Sequence, residues 1–194
     1  AALETAVQSW RKSFCGSGKG KNKNIDIASV RSGNVIGGGD MAEDRIVPDS
    51  IRALKIAQPI KVRNPLSTRP WQHVLEPLGG YLKLAESLYK DPDNFYGAYN
   101  FGPPLASNKT VLELCEKIIT FWKGEIIIEK NLEKLYEAKL LNLHTDKVFH
   151  QLNWKPKWDF DKTVFRTINW FKKIEEGYDP YKISLDDINE YENS

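Results

Sequence analysis

The stretch Arg69-Pro70-Trp71-Gln72-His73-Val74, preceded in the chain by Arg31-Ser32-Gly33-Asn34-Val35-Ile36-Gly37, carries the strongest signal in this sequence. Arg69 stands just before the apolar start of a predicted helix, and Asn34 follows directly on a predicted strand. A guanidinium presents a planar pair of donors and a side-chain amide adds another, a combination that suits recognition of a diphosphate. The two segments therefore predict an anion-binding site to which Asn34 and Arg69 both contribute.

The length and composition are those of an ordinary globular domain. The chain has 194 residues, of which 41% are hydrophobic and 28% charged, with a formal net charge of +2. This small charge does not favour nucleic acid binding, and no stretch reaches the roughly 20 apolar residues that cross a bilayer. Cys15 and Cys115 lie far apart without ligand spacing, which favours a reducing compartment. We therefore expect a cytoplasmic protein whose partners include neither nucleic acid nor a membrane.

Apolar periodicity predicts strands that alternate with helices, and hence an α/β fold. The predicted helices cover residues 1–14, 45–57, 76–89, 110–122, 145–152 and 159–176. The predicted strands cover residues 25–30, 59–62, 98–101 and 126–128, with a further candidate at 140–143. Residues 178–194 are polar and acidic, and we expect them to pack weakly or to fray.

No pattern of a metal site or of a hydrolytic active site is present in the sequence. His73, His144 and His150 lack ligand spacing and a matching carboxylate pattern. There is no GxSxG elbow, and Gly37-Gly38-Gly39 lacks the GxGxxG spacing of a dinucleotide-binding turn. We therefore expect no bound metal.

The segments RSGNVIGGGD (31–40) and VRNPLSTRPWQHVLEPL (62–78) together resemble the nucleotide-sugar-binding part of the extended short-chain dehydrogenase/reductases, the NAD-dependent epimerase/dehydratase family. The resemblance implies the C-terminal part of a Rossmann-like α/β fold, mainly its substrate-binding domain. Residues 1–35 would then end the Rossmann-like domain, and residues 36–177 would form the sugar-nucleotide-binding region with a returning Rossmann strand. Residues 178–194 would be an acidic tail.

The same resemblance implies roles for individual residues. The asparagine that matches Asn34 contacts the diphosphate region in this family, and the arginine that matches Arg69 binds the phosphates. The residues expected to line the nucleotide base and ribose are Arg45, Pro48, Val62, Arg63 and Asn64. No substrate contact is assigned to Tyr136 or His144, because the family usually has a histidine and an aspartate at these two positions.

We do not expect the family's catalytic features in this chain. Its members carry a Gly-rich turn that binds the NAD pyrophosphate, and a Tyr-xxx-Lys pair in which the lysine lowers the pKa of a tyrosine base. The chain opens on Ala1-Ala2-Leu3-Glu4-Thr5, which resembles a helix interior without a cap. We expect that the chain begins inside a longer protein whose preceding half binds NAD, that no catalytic residue lies in this chain, and that the chain alone is inactive.

The resemblance also implies a nucleotide sugar as the partner and a homodimer. The parent enzyme would be an NAD-dependent lyase that dehydrates the sugar, and the helix at residues 1–14 would form the dimer interface with Trp10 as an anchor. Two alternatives remain. One is a different epimerase or dehydratase of the family, distinguished by the contacts at Arg45, Val62 and Arg63. The other is a non-catalytic binding or interaction module, suggested by the missing motifs and the acidic tail.

Overall fold

The computed structural model describes residues 2–16, 19–22, 24–129 and 141–194. These residues form two compact units whose segments interleave along the chain. The first unit comprises Ala1–Ser32, Pro77–Gly102 and Leu143–Lys155, and the second comprises Gly33–Glu76, Pro103–Asn142 and Pro156–Ser194. The functional boundaries at residues 35 and 177 stay predictions.

The first unit is built around one pair of parallel strands. It contains α1 (Ala2–Phe14), β1 (Ala28–Ser32), most of α3 (Leu75–Lys90), α4 (Pro92–Phe95), β5 (Gly97–Phe101) and α6 (Asp146–Leu152). Strand β1 pairs with β5 in parallel, with Ala28 opposite Gly97 and Ser32 opposite Phe101. The buried side chains of this unit are Leu84, Tyr99, Phe101, Val148, Leu152 and Trp154.

The second unit contains the remaining elements. They are β2 (Asn34–Ile36), α2 (Ile46–Lys55), β3 (Ile60–Val62), β4 (Thr68–His73), a 3-10 turn (Leu105–Ser107), β6 (Asn108–Thr110), α5 (Val111–Phe121), β7 (Ile126–Ile128), α7 (Phe160–Glu175) and α8 (Pro180–Glu192). Strand β4 lies between β2, to which it is parallel, and β6, to which it is antiparallel. Strands β3 and β7 form a separate parallel pair.

The core of the second unit combines strand residues such as Ile60 and Val62 with the apolar faces of amphipathic helices, as the 3.6-residue periodicity of those helices predicts. Helix α5 places Leu114, Cys115 and Ile118 in this core with no exposed surface. The start of α5 is fixed by a capping box, in which the Thr110 side chain accepts from the Glu113 amide and the Glu113 carboxylate accepts from the Thr110 amide. Such a cap satisfies two amides that the first helical turn leaves without partners.

The structure confirms the predicted α/β class with parallel strand pairs and corrects several details. Strand β1 begins at Ala28 rather than at residue 25, and the strand predicted at 126–128 is present as β7 with its side chains partly or fully exposed. Residues 141–143 form no strand, and residue 140 lies outside the described residues. Arg69 lies within strand β4 and not directly before a helix, which begins only at Leu75. Strand β4 was missed because five of its six residues are buried, so no alternation of polar and apolar residues marks it.

The prediction that residues 178–194 fray is wrong. Asp179 accepts a hydrogen bond from the Tyr181 amide and so caps α8, and Ile183 is 3% exposed. The acidic side chains of α8 meet basic side chains of α7: Arg166 lies 3.2 Å from Asp187 and 3.2 Å from Glu190. The acidic side chains of this segment are therefore paired with basic side chains of α7, a pairing that the composition of the segment alone does not reveal.

The Glu76 carboxylate joins three elements of the second unit. Glu76 is fully buried at the start of α3 and accepts hydrogen bonds from the amides of Trp158 (2.7 Å) and Lys157 (2.9 and 3.1 Å). The Tyr191 hydroxyl of α8 donates a further bond of 3.0 Å. Burial raises the pKa of Glu76, and these hydrogen bonds partly offset that effect. The carboxylate thus holds the chain before α7 and the end of α8 against the start of α3.

Replacing Glu76 should cost far more stability than replacing its phenol partner. Glu76→Ala leaves two backbone amides and a hydroxyl buried without an acceptor, and we expect a loss of about 3–5 kcal/mol in the free energy of unfolding. Tyr191→Phe removes one donor only and should cost about 1 kcal/mol. Urea unfolding of both variants measures the difference, and equal losses would show that the amides do not depend on this carboxylate.

Candidate functional site

All seven residues predicted to bind the substrate belong to the second unit. Asn34 is the first residue of β2, and in the β2–β4 register it lies opposite Trp71. Arg69 precedes Trp71 by two residues on β4, so its side chain projects from the same face of the sheet as that of Trp71. Because the two strands are parallel, Asn34 and Arg69 both lie near the amino-terminal ends of their strands, at the same end of the sheet. The tertiary structure therefore brings together the two residues that the sequence pairs.

Gly33 makes this strand pairing possible. A methyl group placed on Gly33 would lie 2.7 Å from the carbonyl oxygen of Pro70, a distance that Cβ atoms do not adopt in folded proteins. Any larger residue would push the start of β2 away from β4. Glycine at this position thus permits the close approach that places Asn34 beside the strand of Arg69.

Arg69 is a buried cation. Its side chain is 8% exposed, and its Nη1 donates to the carbonyl of Thr68 at 2.8 Å. On the neighbouring strand Lys109 lies opposite Arg69 in the register. The Lys109 carbonyl accepts a 2.9 Å bond from the Trp71 indole, which fixes β4 against β6. A guanidinium held this firmly loses little entropy when it binds an anion, because its planar donors are already oriented.

Arg45 and Arg63 are exposed and pair with carboxylates of the loop between β2 and α2. Arg63 Nη2 lies 3.4 Å from Asp44 Oδ1, and Arg45 Nη1 lies 3.3 Å from Asp40 Oδ2. The side chains of Arg45 and Arg63 are 65% and 52% exposed. Exposed pairs of this kind stabilise a fold by about 0–1 kcal/mol. Either guanidinium can therefore exchange its carboxylate for a phosphate or for a base at small cost.

Pro48 and Val62 contribute differently from the arginines. Pro48 is buried in the first turn of α2, where the missing amide does not interrupt the helix. The Val62 side chain is fully buried in the core, and its carbonyl accepts from the Glu129 amide at 2.9 Å. Asn64 follows β3 and closes a turn by accepting from the Ser67 amide at 3.3 Å. A ligand contact at Val62 would therefore involve its backbone and not its side chain.

His73, which the sequence indicates to be a structural residue and not a catalyst, is buried and neutral. It is 2% exposed, its ring lies 4.8 Å from that of Trp158, and its Nδ1 accepts from the Leu75 amide at 3.4 Å. Burial lowers the pKa of His73 to about 4, and the nearby charge of Arg166 acts in the same direction. An imidazole that is neutral at physiological pH and enclosed in this way suits packing and not proton transfer.

Other predictions fall outside this unit or outside the described residues. Tyr136 is not among the residues that the structure describes. In the first unit, the carbonyl of His144 accepts a 3.0 Å bond from the side-chain Nδ2 of Asn100. Within the described ranges no cluster of three or more His, Cys, Asp or Glu could hold a metal ion. The helices of those ranges are also too short or too polar to cross a membrane.

Comparison with known proteins gives one sequence relative and a set of shared folds. No family model matches the chain. The chain is 39% identical over 189 residues to CDP-glucose 4,6-dehydratase of Salmonella typhimurium, a match that covers 97% of this chain and 53% of that protein. The chain thus spans about half the length of the curated relative it matches.

Two solved structures illustrate the shared fold. The dTDP-glucose 4,6-dehydratase of Bacillus anthracis, solved with NAD, matches with a TM-score of 0.65 and 17% identity over 92% of this chain and 52% of its own. UDP-N-acetylglucosamine 4-epimerase of Methanobrevibacter ruminantium, solved with UDP-N-acetylmuramic acid, matches with a TM-score of 0.70 and 18% identity over 89% and 51%. Over nearly its whole length, this chain is therefore similar in sequence to about half of a CDP-glucose 4,6-dehydratase and has the α/β fold of the corresponding part of the sugar-nucleotide epimerases and dehydratases.

Proposed function

We propose that this chain is the nucleotide-sugar-binding part of a CDP-glucose 4,6-dehydratase, a lyase that converts CDP-glucose to CDP-4-keto-6-deoxyglucose with NAD as cofactor. The observation that carries the proposal is the 39% identity over 97% of the chain to the Salmonella enzyme of that name. The placement of Asn34 and Arg69 at the same end of a parallel strand pair supports it. In this proposal residues 36–177 form the sugar-nucleotide-binding region, and the whole protein is cytoplasmic.

The chemistry of the site suits a pyrophosphate-linked ligand. Arg69 supplies a buried, oriented cation, and Asn34 supplies an amide on the adjacent strand. Arg45 and Arg63 supply exposed cations whose carboxylate partners are replaceable. A diphosphate carries two negative charges that such a set can share, with the bidentate donors of arginine matching phosphate oxygens. Pro48, Val62 and Asn64 complete the proposed lining beside the base and ribose.

The NAD of the proposed enzyme does not fit the glycine-rich turn of this chain. A pyrophosphate approaches a Gly-rich turn where no side chain covers the backbone. At Gly37–Gly39 that space is occupied, because an added methyl group on Gly38 would lie 2.1 Å from the Trp170 ring. We therefore assign the cofactor, and the catalytic groups, to residues outside this chain. The part of this chain in the reaction is to bind and orient the nucleotide sugar.

A second candidate is another sugar-nucleotide enzyme of the same fold. It is favoured by the structural match to an epimerase as well as to a dehydratase. The two candidates differ in the ligand base and in the product. Titration with CDP-glucose, dTDP-glucose and a UDP-sugar distinguishes them, and failure to bind any of the three would favour a non-catalytic module.

The activity assay is the direct test of the proposal. A longer protein that carries this chain together with an NAD-binding half should form a 4-keto-6-deoxy sugar from CDP-glucose. The 194-residue chain alone should form none and should not bind NAD, since Trp170 covers its Gly-rich turn and its Tyr-xxx-Lys spacing, Tyr178 to Lys182, is not carried on one helix. Product formation by the chain alone would overturn the assignment of the catalytic groups to other residues.

Arg69→Ala in that longer protein should weaken the binding of CDP-glucose. The change removes a charge-assisted bidentate contact, at a cost of about 1.5–3 kcal/mol or roughly 10- to 150-fold in Kd. Arg69→Lys should recover part of the loss, because an ammonium lacks the planar fork. Lys90→Ala, which removes an exposed charge on α3, is the matched control and should leave the calorimetric Kd unchanged. An unaltered affinity in Arg69→Ala would exclude Arg69 from the site.

We also propose a homodimer formed through α1. Its apolar stripe is exposed, with Leu3 73%, Trp10 42% and Phe14 51% accessible, and the rings of Trp10 and Phe14 are 5.3 Å apart. Trp10→Glu should convert the dimer to monomer in sedimentation experiments, because it places a charge in an apolar interface. Gln8→Glu adds the same charge beside the stripe and should leave the dimer intact. An undiminished dimer in Trp10→Glu would reassign the stripe to contacts within one protein molecule.

A further inference from the structure

The turn Gly37–Gly39 connects two parts of the candidate site. Strand β2, which begins at Asn34, ends at Ile36 directly before this turn, and the loop that leads to Arg45 begins directly after it. Three consecutive glycines have more backbone freedom than any other tripeptide. The relative placement of Asn34 and Arg45 therefore depends on whatever fixes this turn.

The loop that follows the turn is held by its own contacts. Arg52 donates to the carbonyls of Met41 and Ala42, each at 3.1 Å. The Asp40 carboxylate accepts from the Ala42 amide at 3.0 Å and lies 3.3 Å from Arg45 Nη1. These contacts fix the conformation of residues 40–45, whereas the glycines before them have no side chains that could make such contacts.

Trp170 of α7 covers the glycine turn. A methyl group on Gly38 would lie 2.1 Å from Cγ of Trp170, and one on Gly39 would lie 3.6 Å from its Cη2. The indole therefore occupies the space beside Gly38 and reaches Gly39 with its six-membered ring. Gly39 has φ of +80°, a conformation that an L-residue rarely adopts. Glycine is therefore needed at both positions: at 38 to leave room for the ring, and at 39 to adopt the positive φ.

The orientation of this indole is set from α8. Trp170 Nε1 donates to Ser184 Oγ at 3.0 Å, and that hydroxyl donates onward to the Pro180 carbonyl at 2.8 Å. The other contacts of α8 do not involve this bond: Arg166 pairs with Asp187 and Glu190, and Tyr191 binds Glu76. The Ser184 hydroxyl can therefore be removed while α8 stays docked.

We propose that Trp170 is a positioning residue for the candidate site. Its indole, oriented by Ser184, fixes the Gly37–Gly39 turn and so holds Arg45 in a defined position relative to Asn34. As far as the ligand is concerned, this inference rests on the proposed nucleotide-sugar function. The physical reason is preorganisation. A glycine turn that is already ordered in the free protein has less conformational entropy to lose when the ligand binds.

The test compares variants that alter the Trp170–Ser184 bond with one that alters another α8 contact. In the longer protein, Ser184→Ala should weaken CDP-glucose binding by about three- to tenfold and speed amide hydrogen exchange at residues 38–45. Ser184→Thr, which keeps the hydroxyl, should restore both. Tyr191→Phe should lower the melting temperature and leave both values unchanged. Trp170→Phe, which removes the hydrogen bond and also part of the indole over the turn, should weaken binding and speed exchange at least as much as Ser184→Ala. The double variant should lose no more than Trp170→Phe alone, because the partner of the Ser184 hydroxyl is already absent.

Two readouts separate failure of this inference from failure of the proposed function. If the unaltered protein binds no nucleotide sugar, the proposed function fails, and the exchange rates at residues 38–45 still decide the role of Trp170. If Ser184→Ala lowers the melting temperature while affinity and exchange at residues 38–45 stay unchanged, the bond is purely structural. The positioning role is then overturned.

Discussion

The buried carboxylate of Glu76 is the contact on which the second unit depends most. It has no basic side chain within hydrogen-bonding distance among the described residues; two backbone amides and one phenol satisfy it instead. A buried charge is tolerated only with such compensation. Through it the start of α3, the chain before α7 and the end of α8 share one acceptor. Trp158, whose amide donates to Glu76, also contacts the His73 ring at the end of β4 in a tilted arrangement, so the strand of Arg69 is supported by the same cluster.

The packing around β4 matters because the three arginines of the candidate site differ in how firmly the protein holds them. Arg69 is buried on a central strand, and its position is set by the sheet. Arg45 and Arg63 are exposed on loops and pair with loop carboxylates. A rigid cation can fix the orientation of a phosphate, and adaptable cations can follow the rest of the ligand. This difference fits a site in which the buried arginine binds the diphosphate, while the exposed arginines adjust to the base or the sugar.

The sequence allowed much of the fold to be predicted and only part of the site. Helices α2, α5 and α7 followed from apolar spacing, and the structure adds the Thr110–Glu113 capping box that starts α5. Strand β4 was missed, since Pro70 and buried polar residues such as Gln72 give it no strand pattern. The fully buried side chain of Val62 could not be foreseen either, because the burial of a strand-end residue depends on what packs over it.

What the sequence by itself determined is the α/β class, the positions of the amphipathic helices and the identity of the polar residues that resemble a nucleotide-sugar site. These depend on local spacing, which a single chain displays directly. Only the tertiary structure decided that Asn34 and Arg69 lie at the same end of neighbouring strands, that Trp170 covers Gly38, and that the acidic segment 178–194 docks as a helix. Each of these joins residues far apart in sequence through strand register or side-chain packing. Such pairings leave no periodic trace in the chain, because they are chosen by the free energy of the whole unit.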